Sequence, residues 1–394
     1  MRTYAELFKT PGVAVVLFAQ LLARFPFGMQ TITFAIHLEH VFGNYTVAGL
    51  AIAASTVGAA ISAPFLGRLV AVYGIKVVVI TCSLVSPVGF LLIAFAPLTE
   101  GQAILTALAL GFFVPPIQPA ARAVYPTLVK SEAVRNNLFS VDAILQEVIW
   151  IVGPVLTTVL IATTSTTVPL VVMVFVQVIG GVTFALLPMV QGAPIPRSKK
   201  RMGSVLRTPL VRVMIIVNLL FVGSFSALEI GAVAAVGKAQ AGFVLAMLSI
   251  GSVVGAIAFG HRARSPLALT KQLGVVLLGD ILIFLNATDP LWLGICLFIS
   301  GIGVALAFAT MSAIIAKSIP LDDTSEVYGW IGSGQNIGYG VGAALAGILV
   351  DQFSGTVAFG FASGLDGIAM FVALGAVAIT PALLDSTSEK KVKA

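Results

Sequence analysis

Charge is what this sequence has least of. Lys, Arg, Asp and Glu make up 10% of its 394 residues, against roughly 25% in a soluble globular protein. So few charges cannot cover a surface in contact with water. A soluble enzyme, a disordered chain and a nucleic-acid binder are therefore excluded as readings, although the net charge is +6. Histidine is rare: His37, His40 and His261 lack the spacing of a metal site, so no metal is expected. Only Cys82 and Cys296 are present, both inside apolar stretches, which removes a disulfide framework. No G-x-x-x-x-G-K-[ST] phosphate loop occurs, and no cofactor is expected. The Gly-rich Gly332–Gly338 follows no strand, and Gly334, Gly338, Gly342 and Ala346 at four-residue steps read as helix packing.

What is abundant is apolar: 58% of the residues are hydrophobic and the mean hydropathy is +1.07. In lipid, every backbone polar group needs an internal partner, so long apolar segments become helices. The 39 Gly and 19 Pro suit packed membrane helices. Apolar runs of about 20 residues, the length that crosses a bilayer, give twelve spans. Their expected bounds are 12–36, 46–70, 75–97, 102–123, 138–161, 167–189, 210–235, 241–261, 268–287, 290–316, 326–350 and 356–382. Arg2 and Lys9 precede the first, which is too long for a signal-peptide core and is read as retained.

Basic residues mark the orientation. They sit before span 1 (Arg2, Lys9) and after spans 2 (Arg68, Lys76), 4 (Arg122, Lys130, Arg135), 6 (Arg197, Lys199, Lys200, Arg201, Arg207), 8 (Arg262, Arg264, Lys271), 10 (Lys317) and 12 (Lys390, Lys391, Lys393). The odd-numbered loops carry only Lys238. Both termini are thus expected in the cytoplasm, in a cell membrane of bacterial inner-membrane type. A miscounted span would destroy this alternation downstream.

The two halves repeat. Lys9-Thr10-Pro11 opens span 1 as Arg207-Thr208-Pro209 opens span 7. In that register Gln20 meets Asn218 and Phe27 meets Phe225. In spans 5 and 11, Gln146-Glu147 and Val152-Gly153 meet Gln335-Asn336 and Val341-Gly342. The expected organisation is an all-α membrane protein: a six-helix bundle over 1–190, a basic cytoplasmic linker over 191–209, and a second bundle with a short basic tail over 210–394. Parallel repeats of this kind place a substrate site where the halves meet.

Twelve spans, a basic central loop and a six-plus-six repeat resemble the major facilitator superfamily over the whole chain. Between spans 2 and 3, Gly67, Arg68, Gly74 and Lys76 resemble the family's conformational motif. Ala71 stands where the family has an acid and Val72 where it has a basic residue. Gly153-Pro154 in span 5 resembles the core of a motif typical of drug:proton antiporters. The span 4 arginine of such exporters is replaced, at the equivalent position, by Ala107. The resemblance implies a secondary transporter, not an enzyme, with spans 1, 2, 4, 5, 7, 8, 10 and 11 around a central cavity.

Ionisable groups at bilayer depth are costly and mark function. The candidates for proton coupling are Arg24, Asp142, Glu147 and Glu229, with Asp280 and Asp366 on peripheral spans. Gln20 and Arg24 share a helical stripe, as do Asp142, Gln146 and Trp150. By depth, Glu147 is the expected counter-ion of Arg24. Asp142, near the start of span 5, reads as a hydrated or loop-pairing acid. Gln20, Phe27, Gln30, Gln118, Gln146, Trp150, Asn218, Gln335, Asn336 and Tyr339 are the candidate substrate contacts. Few charges and many aromatics suit an amphipathic organic compound. The reading is proton-coupled export of such small molecules by a monomer in the lipid bilayer, with no nucleic-acid partner. The rivals are proton-coupled uptake of a nutrient such as an organic acid, and a membrane scaffold or receptor that transports nothing.

Overall fold

The structure, a computed structural model, describes residues 10–129, 132–191, 203–259, 267–319 and 321–379. Among the described residues all regular structure is helical, as lipid burial demands.

Span 1 is two helices, Val13–Arg24 and Pro26–Phe42. Pro26 has no N–H, and its ring opposes the carbonyl four residues back. The ladder tightens there to three-residue steps, Phe25 N donating to Leu22 O at 3.2 Å and Gly28 N to Phe25 O at 3.1 Å. The span also runs six residues past its expected end at 36. The ring of His37, beyond that expected end, is buried and fully partnered. Nε2 bonds the Ile93 carbonyl at 3.1 Å and must donate to it; Nδ1 then accepts from Thr166 Oγ1 at 3.0 Å.

Spans 2 and 3 form one element, Tyr45–Phe95, broken only at Gly74 with φ 83° and ψ 161°. That region is essentially restricted to glycine, so a single residue turns the chain. Span 4, expected as one helix, is Glu100–Phe112 followed by Ile117–Leu128. The consecutive Pro115 and Pro116 interrupt it. Thr99 and Gln102 form a capping box at its start. Span 5, Glu132–Thr163, begins six residues before the expected 138 and keeps Pro154 inside the helix. Span 6 is Val168–Leu186.

The second half comprises Pro209–Val236, Lys238–Phe259, Ala268–Leu282 with a 3-10 turn Ile283–Leu285, Pro290–Ser318, Leu321–Gln352 and Gly355–Ile379. These are spans 7 to 12. Among the described residues, ten spans are long and apolar enough to cross a membrane by themselves. Val148–Thr163, in span 5, is a shorter apolar stretch. The whole is a twelve-span helical membrane protein.

The chain divides into two compact units. The first holds the described residues up to Gly43 and from Ala54 to Gln191. The second holds Asn44–Ala53 and the described residues from Gly203 onward. The opening turn of span 2 joins the second unit through Asp351, whose carboxylate accepts from Tyr45 N at 2.8 Å and from Thr46. That carboxylate caps a helix N-terminus, where negative charge is favoured. Each unit has its own apolar core, the first built around Val16, Val79, Val124 and Phe184 and the second around Met214, Phe221, Leu273 and Ala369.

Small residues let the helices of each unit approach closely. In the first, an added Cβ on Gly153 would lie 2.6 Å from the carbonyl carbon of Gly28, and one on Gly28 would strike the Ile149 carbonyl. In the second, a Cβ on Gly338 would lie 2.7 Å from the carbonyl carbon of Leu219, and one on Gly342 2.5 Å from Ser226 Oγ. The glycine steps in span 11 are thus occupied by contact with span 7. Both cysteines are free and buried.

Candidate functional site

Arg24 ends the first helix of span 1 and is 3% exposed. A guanidinium held away from water needs acceptors on its five N–H groups. It finds three side chains. Nη1 donates to Asp142 Oδ1 at 2.9 Å and to Gln20 Oε1 at 2.7 Å, and Nη2 donates to Gln146 Oε1. Gln20 spends its other end on the same carboxylate, Nε2 donating to Asp142 Oδ1 at 2.9 Å. One amide therefore ties both members of the ion pair.

Asp142 is 1% exposed and takes a second cation on its other oxygen. Arg122 Nε donates to Oδ2 at 3.4 Å from a side chain that is 51% exposed. The buried Tyr125 phenol interacts with the same carboxyl. Spans 1, 4 and 5 thus converge on one aspartate. Asp142 is consequently a buried ion-pair acid, not a hydrated or loop-pairing one. The correction follows from where span 5 starts. Asp142 lies ten residues beyond Glu132, and Arg24 eleven beyond Val13. At about 1.5 Å per residue the two depths agree. The acid described on Arg24 is Asp142; the side chain of Glu147, the expected counter-ion, lies outside the described residues, as does that of Arg68.

The second unit repeats this arrangement without charge. Asn218 is 2% exposed and accepts from Gln335 Nε2 at 2.8 Å, while its own Nδ2 donates to Met214 O. These are the positions equivalent to Gln20 and Gln146. In the same register, Val222 and Ile331 stand where Arg24 and Asp142 do. Higher in span 7, Tyr339 Oη donates to Glu229 Oε2. Two expected site residues therefore meet, and Glu229 has a phenolic donor.

The other expected contacts are dispersed. Gln30 Nε2 donates to Ser55 Oγ at 2.9 Å, beside a narrow cleft lined by Phe27, Phe90, Pro115 and Gln177. Phe27 is 43% exposed. Gln118, Trp150 and Asn336 are half-buried. Gly67 has open space around it, Lys76 is exposed, and Gly153 with Pro154 lies in the crossing of spans 1 and 5. Among the described residues no cluster of three or more His, Cys, Asp or Glu is placed to hold a metal.

Arg122 and Tyr125 escaped the reading of substrate and proton residues. Their signal is local, a three-residue spacing on one face of the helix that restarts after Pro116.

A family model described as Major Facilitator Superfamily matches residues 16–270 and 272–393. No curated protein matches the chain by sequence. Among solved structures, the nucleoside transporter NupG in its D323A mutant form is similar with a TM-score of 0.74. It is 12% identical, over 92% of this chain and 99% of that one. Unmutated NupG gives 0.72 at 11% identity, over 92% and 98%. The human organic anion transporter MFSD10 (TETRAN) gives 0.63 at 16% identity, over 92% and 98%.

Proposed function

The chain belongs to the major facilitator superfamily, and on that premise we propose that it exports small amphipathic organic compounds in exchange for protons, by alternating access. As a member it is a multi-pass membrane transporter of small molecules and not an enzyme. The proposal places it with the drug:proton antiporters. It further takes the protein to be a monomer in a bacterial-type inner membrane with both termini in the cytoplasm.

One observation carries the coupling scheme: Arg24 and Asp142 form an ion pair, both nearly inaccessible to water, with two glutamines on it. Protonating Asp142 cancels its attraction for Arg24 and Arg122. A buried guanidinium that loses its counter-ion is strongly destabilised, so the packing of spans 1 and 5 must change or another acceptor must arrive. Either response links a proton to a conformational step. Glu147 and Glu229 serve as further stations on the proton path. One proton crossing about 100 mV releases about 2.3 kcal/mol, enough for a roughly fiftyfold gradient of exported solute.

The substrate class rests on the polar candidates Gln20, Gln30, Gln118, Gln146, Asn218, Gln335, Asn336 and Tyr339, set among Phe27 and Trp150. Amides and aromatic rings favour uncharged or weakly charged organic molecules. The solutes named for two structural relatives are nucleosides and organic anions. Gly153-Pro154, seated against Gly28, favours the export direction.

The test is purified chain in proteoliposomes under an imposed pH gradient, with proton movement recorded as amphipathic compounds are added. Export predicts proton flux opposite to the solute, abolished by Asp142→Asn. Flux in the same direction as the solute makes the protein an uptake symporter. Full proton-linked flux in Asp142→Asn sinks the coupling scheme, and a lack of any solute-dependent flux leaves the scaffold reading.

A further inference from the structure

The second unit buries two carboxyl groups that the scheme above does not use. Asp280 lies in span 9 and Asp366 in span 12, and both are 0% exposed. Asp366 Oδ1 accepts from Ser224 Oγ of span 7 at 3.0 Å. The carboxyls face one another, and Ser300 of span 10 stands beside Asp280. Among the described residues, the thiol of Cys296 is the one other titratable group against Asp280. Among the described residues, span 11, which also packs on span 12, brings no charged group to the pair: Tyr339 is turned to Glu229. Among the described residues neither aspartate has a cationic partner.

Asp280 Oδ1 and Oδ2, Asp366 Oδ2 and Ser300 Oγ are buried without a hydrogen-bond partner among the described residues, and with both carboxyls ionised neither can donate to the other. Two unpaired carboxylates side by side in lipid repel each other and forfeit their hydration. Water is kept out by the helix crossing itself, since a Cβ on Gly279 would lie 2.7 Å from both Ser300 Cα and the Cys296 carbonyl. A single proton resolves both faults. It removes one charge and supplies the missing donor between the two carboxyls, as in carboxyl dyads that share a proton.

We propose that Asp280 and Asp366 are a proton-binding site of the second unit, holding one proton between their carboxyl groups and joining spans 7, 9, 10 and 12 around it. The site stands independently of the Arg24–Asp142 scheme, and a failure of Asp142 to couple leaves it unaffected.

Infrared spectroscopy of the full-length protein tests this through the C=O band of a protonated carboxyl, identified by its shift in D2O. At neutral pH the band is expected in the wild type, lost in Asp280→Asn and in Asp366→Asn, and moved in frequency by Ser224→Ala. Asparagine mimics a neutral acid, so both variants are expected to fold. If they do not, the wild-type band and its Ser224→Ala displacement decide alone. Absence of the band in the wild type, its full persistence in both Asn variants, or its indifference to Ser224→Ala overturns the proposal. So does its disappearance when Na+ replaces choline, which would make the four oxygen-bearing side chains a cation site.

Discussion

Gly28 and Gly153 meet backbone to backbone, with no room for a side chain on either: a Cβ on Gly153 would lie 2.6 Å from the Gly28 carbonyl carbon. This crossing fixes the separation of spans 1 and 5 one helical turn from Arg24. It brings the guanidinium within reach of both Asp142 and Gln146. Repeat symmetry preserves the crossing in the second unit as Ser226 against Gly342, although the charges are gone there.

Gly153→Ala is expected to force spans 1 and 5 apart. Overpacking of this sort costs about 1–3 kcal/mol. Thermal unfolding of the purified protein should show the loss, and substrate-linked proton flux should fall with it, because Arg24 loses its geometry. Gly364→Ala, with open space around it, is the matched control and should leave both unchanged.

Asp142→Ala is expected to destabilise the protein by about 3–5 kcal/mol, the cost of stranding one partner of a buried ion pair. The double substitution Arg24→Leu with Asp142→Leu should recover most of that stability and none of the proton-linked flux. Thermal unfolding and liposome flux, measured on the same preparations, check the two halves of the statement.

Gln20→Leu should weaken the same site without removing a charge. Gln20 both accepts from Arg24 and donates to Asp142, and hydrogen bonds to charged groups contribute about 1.5–3 kcal/mol each. The expected outcome is a lower unfolding temperature and a changed pH dependence of flux, with transport retained.

Tyr339→Phe removes the phenolic donor to Glu229 and leaves a half-buried carboxyl short of one partner. A loss of about 1–3 kcal/mol is expected, read by thermal unfolding. Glu229→Gln, which keeps an acceptor for the phenol, should cost less.

Gly74→Ala places a side chain at φ 83° and ψ 161°, where only glycine is at ease. Strain of about 1–3 kcal/mol follows, although nothing crowds the position. The expected result is lower stability that Lys76→Ala, on the exposed side of the same turn, does not reproduce.

The spans were legible because lipid burial writes itself into hydropathy, and their packing because glycine steps are hard to explain otherwise. The stripe of Gln20 and Arg24 and that of Asp142 and Gln146 do face each other. Asp142 was misjudged for a definite reason. A start at 138 in place of Glu132 shortens span 5 by six residues and sets Asp142 about 9 Å nearer the membrane edge. Arg122 and Tyr125 were hidden because the Pro115–Pro116 break resets the helical phase. Residues after such a break cannot be assigned to a face from those before it. The meetings of Tyr339 with Glu229 and of Asp280 with Asp366 depend on the axial offset between helices, which no single helix records.

The break at Phe25–Pro26 divides span 1 into two segments that are anchored separately. The lower one ends on Arg24 and its ring of acceptors; the upper one is pinned by His37 to Ile93 and Thr166. A swivel at that joint would let the charged segment change partners while its neighbour stays moored, turning a local electrostatic event into a directed displacement instead of a tug along the entire rod.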